Sequence, residues 1–185
     1  MLEVDQSISD AVSQIDNKLH DAFLETLGLW CGSIVFTWHW WVNAGLSVLP
    51  WVLWVLVRKK ESTHRLLLAG FVVLVLSSFL DMLGLNFGLW GYNSIVIPII
   101  PPYIPWDFSI IPVTAMLFYQ VKPKVNPYLK ALIFSLLGSF VVQPVFEWIG
   151  FYNRKAWRDY YSLPLIFAIY LAGHYFAGRK HFEKL

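Results

Sequence analysis

Apolar side chains run almost without interruption through five stretches of the chain, which are separated by short polar or proline-rich segments. A transmembrane helix needs about 20 predominantly apolar residues, so we predict five membrane-spanning helices. They cover residues 34–57, 66–85, 105 or 106 to 120, 129–149 and 160–177. The predicted fold is therefore an all-α integral membrane bundle.

The first thirty residues follow another pattern, in which apolar side chains recur every three or four positions among polar ones. This spacing predicts an amphipathic helix that begins near Ser7, with Asp10 three residues later as in a capping box. Its apolar positions are Ile8, Val12, Ile15, Leu19, Phe23, Leu27 and Trp30. Such a helix either packs on the bundle or the lipid surface, or binds a partner or a second copy of the chain. The predicted domains are this helix over 1–33 and a five-span domain over 34–185.

The composition supports a protein of the lipid bilayer. Hydrophobic residues make up 57% of the chain and charged residues 14%, whereas about 25% is charged in ordinary soluble domains. Cys31 is the single cysteine, which excludes an internal disulfide and a cysteine-rich metal site. Basic residues are not interleaved with aromatic ones in a surface pattern, so we predict no nucleic-acid partner.

The distribution of basic residues predicts the orientation. With five spans, ten lysines and arginines fall on one side of the membrane, at positions 58–65, 122–130 and 179–184. The four others are Lys18, Arg154, Lys155 and Arg158. Because lysine and arginine accumulate in cytoplasmic loops, we predict a cell-membrane protein with its C-terminus in the cytoplasm and its N-terminal helix outside.

Polar side chains form stripes on three of the predicted spans. They stand about four residues apart, which places them on one helical face. The stripes are His39, Asn43 and Ser47 on the first span, Ser77, Ser78 and Asp81 on the second, and Ser135, Ser139, Gln143 and Glu147 on the fourth. With the predicted orientation, their charged members lie in the outer half of the membrane.

These stripes predict an outward-facing polar pocket. An ionisable group at the centre of a membrane helix costs about 2.5–3.5 kcal/mol on insertion scales, which makes each one a candidate for function. The predicted pocket residues are His39, Asn43, Asp81, Asn86, Tyr103, Trp106, Asp107, Gln143 and Glu147. The tryptophans expected to border it are Trp90, Trp106, Trp148 and Trp157.

Several of these residues also fit a structural role. Asp107 suits the cap of the third span, Glu147 could pair with Arg154 or Arg158, and His39 could bond a carbonyl group. Asp81 has no basic residue within a turn of its helix.

A proline-rich run, "PIIPPYIPWDFSIIP", begins at position 98. Proline lacks a backbone donor and is tolerated in the first turn of a helix. We predict that residues 98–105 form an extended outer connection that covers the pocket, and that Pro112 kinks the third span. A "GxxxG" at 84–88 is expected to permit close helix contact.

Three segments resemble a family of small, five-span, functionally uncharacterised membrane proteins of endospore-forming Gram-positive bacteria. They are "FLDMLGLNFGLWGY", "PPYIPWDFSIIPVTAMLFYQ" and "VQPVFEWIGFYNRKAW". The resemblance covers about residues 35–180 and leaves the N-terminal helix as an addition. It implies the five-span architecture and brings no catalytic or binding residue with it.

The predicted pocket favours binding of a small ligand, a cation or a proton by a sensor, an accessory subunit or a transport-related protein. The alternative is a structural or partner-binding protein whose polar groups specify helix packing. An enzyme in which a pocket carboxylate acts as acid or base, with a metal held by His39, has no spacing motif in its favour. The sequence does not indicate a cofactor.

Overall fold

The computed structural model describes residues 5–98 and 102–179, and these are mostly helical. The α-helices are α1 (Gln6–Leu29), α2 (Trp38–Val57), α3 (Thr63–Asn86), α4 (Ile111–Gln120), α5 (Pro127–Leu137), α6 (Gln143–Trp148) and α7 (Asp159–Ala177). Wider π-helical turns occupy Trp30–Ile34, Pro105–Ile110 and Gly138–Val142, and Lys60–Ser62 forms a 3-10 turn. The strands are β1 (Trp90–Tyr92) and β2 (Tyr152–Arg154).

Three helices are long and apolar enough to cross a membrane. They are Trp38–Val57, Lys60–Asn86 and Pro127–Trp148, the last formed by α5, the following π turn and α6. The stretches predicted as third and fifth spans are also helical, over 105–120 and in α7, but these helices are shorter or less apolar. Many large apolar side chains remain exposed on the outside of the bundle. Leu56 is 76% exposed and Phe71 is 62% exposed.

The N-terminal helix begins one residue earlier than predicted. Asp5 precedes α1, and its carboxylate accepts a hydrogen bond from the backbone N–H of Ser7 at 3.0 Å. Asp5 is therefore the N-cap, because its side chain satisfies a free donor of the first turn. No residue of α1 is buried, so its packing partner stays a prediction.

Two connecting segments pair as a two-stranded antiparallel ribbon. The sequence pattern predicts no regular structure for either segment. β1 follows α3 and β2 follows α6, with Trp90 opposite Arg154 and Tyr92 opposite Tyr152. The apolar side chains near this ribbon form a cluster around Tyr103, Phe146 and Phe151. The ribbon thus connects the end of α3 with the end of α6 at one end of the bundle.

The larger part of the core lies between α3, α4, α5 and α7. Its fully buried members include Ala69, Val73, Met116 and Tyr170. Gly173 on α7 sits where a Cβ atom would overlap with the Tyr119 hydroxyl and the Val73 side chain. The absence of a side chain there allows α7 to approach α3 and α4 closely.

The predicted "GxxxG" contact between helices is wrong. The indole ring of Trp90, and not another helix, occupies the space beside Gly84. Gly88 lies beyond the end of α3 with a φ of +65°, a conformation that glycine adopts without steric cost. The two glycines therefore serve an aromatic contact and a turn.

We expect Gly173→Ala to destabilise the bundle by about 1–3 kcal/mol, because an added methyl group forces well-packed neighbours to move. The measurement is thermal unfolding of the purified protein in detergent. Gly45→Ala on α2 is the matched control, since its Cβ would meet only Leu49, at 3.7 Å. Equal stability losses in the two variants would contradict the close packing at Gly173.

Candidate functional site

A cavity of about 90 Å³ lies below the ribbon, between α3, the helix that starts at Pro105, α6 and α7. Its polar wall residues are Ser77, Asp81, Asp107, Gln143 and Ser162. Its aromatic wall residues are Trp90, Tyr92, Tyr103, Trp106, Phe146, Tyr152 and Trp157.

Asp81, near the end of α3, is the most heavily hydrogen-bonded group of this cavity. Its Oδ1 accepts bonds from Trp90 Nε1 at 2.8 Å and from the Tyr92 hydroxyl at 2.6 Å. Its Oδ2 accepts the backbone N–H of Tyr103 at 3.0 Å. Asp81 is only 5% exposed. The three donors therefore replace the hydrogen bonds to water that the carboxylate loses on burial.

Asp107 lies close to Asp81 in the wall of the same cavity. The Tyr103 peptide contacts both residues, because its N–H donates to Asp81 Oδ2 and its carbonyl oxygen accepts the Asp107 N–H at 2.9 Å. Asp107 is 1% exposed, and no N–H or O–H donor of the described residues reaches its Oδ2 atom. The helix begins at Pro105, after Ile104, so Asp107 lies within the first turn and does not occupy the N-cap. Of the two carboxyl groups, Asp107 is the one with free capacity for a ligand.

Tyr103 connects the cavity to the first predicted span. Its ring stacks on Tyr92 with centroids 4.1 Å apart, and its hydroxyl donates to Asn43 Oδ1. The Asn43 amide in turn donates to the Ser94 carbonyl oxygen at 3.1 Å. Asn43 therefore lies behind the cavity wall and holds Tyr103 in place.

Aromatic side chains of the ribbon and of the connection to α7 close the cavity. Trp90 and Trp157 pack edge to face with centroids 5.0 Å apart, and Trp157 Nε1 donates to Ser162 Oγ at 2.8 Å. Gln143 Nε2 donates to the Tyr152 hydroxyl at 2.9 Å. Each polar atom in these pairs has a partner, while the ring faces border the cavity.

The two ribbon tyrosines remain protonated at physiological pH. Burial, followed by the negative charge of Asp81, raises the pKa of Tyr92 well above its usual value. Burial also raises the pKa of Tyr152 to about 12. The Tyr92 hydroxyl is thus a permanent donor to Asp81.

The structure brings five of the nine predicted pocket residues to one cavity. They are Asp81, Tyr103, Trp106, Asp107 and Gln143. Of the four tryptophans expected at its border, Trp148 is absent and is 86% exposed. The predicted cover is only partly described: residues 99–101 lie outside the described residues, while Tyr103 and Pro105 are buried.

The structure places His39, Asn86 and Glu147 outside the cavity. The His39 ring packs against Trp38 and Phe151. Asn86 is exposed and bonds the Met82 carbonyl oxygen of its own helix. Glu147 forms a salt bridge with Arg154 on β2, and Arg154 also pairs with Asp159 at 3.0 Å. The pairing of Glu147 is one of the alternatives that its sequence position allowed.

Sequence reasoning missed Tyr92, Tyr152 and Ser162. The two tyrosines face the cavity because β1 pairs with β2, and three-residue strands are too short to show an alternating pattern. The available signal was a short tyrosine-containing segment after each of two predicted spans, "WGY" and "YNR".

The described residues contain no group of three or more histidine, cysteine, aspartate or glutamate side chains that could hold a metal ion. None of the described side chains lining the cavity is basic. The cavity therefore presents two carboxyl groups without a cationic partner.

The chain matches no family model, no curated protein and no solved structure. The resemblance to the five-span family accordingly stays a prediction.

We expect Asp81→Asn to cost about 1–3 kcal/mol of stability, the penalty for leaving buried donors without an acceptor. The amide has one acceptor oxygen and cannot serve Trp90, Tyr92 and the Tyr103 N–H together. Asp107→Asn is the control, because Trp90, Tyr92 and the Tyr103 N–H keep Asp81 as their acceptor in this variant. Thermal unfolding in detergent measures both, and a larger loss for Asp107→Asn would contradict these roles.

Proposed function

We propose that the protein is a multi-pass membrane protein that binds a small organic cation in this cavity in exchange for a proton. The observation that carries the proposal is the adjacent, buried pair of Asp81 and Asp107 in a cavity whose described lining contains no basic side chain. Such a site attracts positive charge, because every ionised group that lines it is negative.

The aromatic walls favour an organic cation over a metal ion. Trp90, Tyr92, Trp106, Tyr152 and Trp157 all line the cavity, and the faces of such rings attract alkylammonium groups through cation–π interactions. A calcium ion would need six to eight oxygen ligands, whereas the Asp81 oxygens already accept three hydrogen bonds. An ammonium group can bind through Asp107 and the rings alone.

The proton follows from the shared burial of the two carboxyl groups. Both carboxyl groups are buried in the wall of one cavity, and two like charges in such a place disfavour double ionisation, so that one carboxyl group keeps a proton. A bound cation compensates the second negative charge and so favours release of that proton. Cation binding and proton release are therefore coupled.

Asp81 also has a structural role, which the three hydrogen bonds to the outer connections support. This role does not extend to Asp107, whose Oδ2 atom receives no hydrogen bond from the described residues. We assign structural support mainly to Asp81 and ligand contact mainly to Asp107.

We further propose five spans in the cell membrane, with the C-terminus in the cytoplasm and α1 outside. Three helices with sufficient length and apolarity support membrane insertion, and the ten-to-four distribution of basic residues supports the orientation. In this arrangement the cavity and its ribbon lie on the outer side, and the exposed α1 is available to the lipid surface or a partner. The five-span family is the proposed relationship.

Purified protein in lipid nanodiscs should bind tetramethylammonium with an affinity that rises with pH, because deprotonation frees the second carboxylate. Isothermal titration calorimetry at several pH values measures this. Asp107→Asn should weaken binding at least about tenfold at high pH, equivalent to 1.4 kcal/mol, and should abolish the pH dependence.

Glu147→Gln is the control for that experiment, since Glu147 is a nearby carboxylate outside the cavity. Its affinity and pH dependence should equal those of the unmodified protein. Absence of tetramethylammonium binding, or an equal effect of Glu147→Gln and Asp107→Asn, would refute the cation site.

The single cysteine provides a test of the orientation. Cys31 is exposed and is predicted outside, so a membrane-impermeant maleimide should label it in intact cells. In a Cys31→Ser background, Lys155→Cys should behave in the same way. Lys124→Cys and Arg179→Cys should become labelled only after the membrane is permeabilised. Labelling of Lys124→Cys or Arg179→Cys in intact cells, or failure to label Cys31 or Lys155→Cys there, would require a different number of spans or the opposite orientation.

A further inference from the structure

A second cavity, of about 130 Å³, adjoins the first. It lies between the helix over 105–120 and the helix over 127–148, and its wall is apolar, with Ile110, Phe118, Phe134 and Val142 among its members. The Thr114 hydroxyl also lines it but already donates to the Ile110 carbonyl oxygen. Such a space suits a hydrocarbon group.

The two cavities share part of their walls. Trp106, Ile111 and Ile166 line both. The Trp106 ring packs edge to face on Phe146 at 5.4 Å, and it stands one residue before Asp107. A ligand whose charged group contacts Asp107 therefore has the apolar cavity directly beyond Trp106.

One lining residue of the second cavity also reaches the surface of the bundle. Leu137 lines the cavity and is 44% exposed. The next turn, Gly138–Val142, is π-helical, and its members Phe140 and Val141 are 47% and 49% exposed. This surface is apolar, so a hydrocarbon chain can pass from it into the cavity without contacting polar groups.

We infer that the ligand is a cationic amphiphile, a single-chain alkylamine or alkyl quaternary ammonium compound. Its head group occupies the carboxylate cavity and its chain occupies the second cavity. This inference rests on the proposed cation site and names the class of ligand. Transfer of the chain from water to an apolar wall provides the additional affinity.

The test is a series of trimethylammonium compounds with methyl, butyl, octyl and dodecyl chains, titrated into the protein in nanodiscs, with empty nanodiscs subtracted. Affinity should rise by up to about fourfold per methylene group until the second cavity is full. A neutral alkyl alcohol of equal chain length should bind at least tenfold more weakly than its charged counterpart.

Val142→Phe fills the second cavity and should remove most of the gain with chain length, while tetramethylammonium affinity stays within twofold. Val141→Phe is the matched control, because Val141 is next to Val142 in sequence but does not line the cavity. This variant should retain the full gain in affinity with chain length. Leu137→Phe, at the cavity mouth, replaces Val142→Phe if that variant does not fold.

The outcomes separate this inference from the proposed function. Tetramethylammonium binding without any gain along the series, or an unchanged gain in Val142→Phe and Leu137→Phe, overturns the amphiphile and leaves the cation site in place. Equal binding of the neutral alcohol overturns recognition of charge, and with it both proposals.

Discussion

Burial of the Asp81 carboxylate is the constraint on which the ribbon end of this bundle depends. Each oxygen needs donors, and α3 cannot supply them because its own backbone groups are already bonded within the helix. The donors come instead from Trp90, Tyr92 and the backbone of Tyr103. One charged group thereby determines where two separate connections lie.

Small residues make that arrangement sterically possible. Gly84 leaves the space in which the Trp90 indole reaches Asp81 one turn away. At the other end of the bundle, Gly173 allows α7 to contact α3 and Tyr119 closely.

The helices and the buried polar groups near the ribbon could be predicted from residue patterns, because long apolar runs and a carboxylate within a helix have few physical interpretations. Glu147 illustrates what the pattern could not show. The predicted stripe assumed a continuous α-helix, whereas the π turn at Gly138–Val142 separates Gln143 and Glu147 on α6 from Ser135 and Ser139. Gln143 faces the cavity, but Glu147 pairs with Arg154, a partner that only the ribbon brings near. The pairing of three-residue strands distant in sequence depends on tertiary contacts, which local periodicity does not encode.

The ribbon also has a mechanical consequence. β1 extends from α3 and β2 from α6, and their backbone pairing joins the two connections into one unit. Trp90, Tyr92 and Tyr152, which border the cavity, all belong to that unit. Movement of either strand away from the cavity must break the pairing or carry the other strand with it. Displacement of β1 from the cavity therefore requires loss of the bonds from Trp90 and Tyr92 to Asp81, and displacement of β1 without β2 also requires loss of the strand pairing.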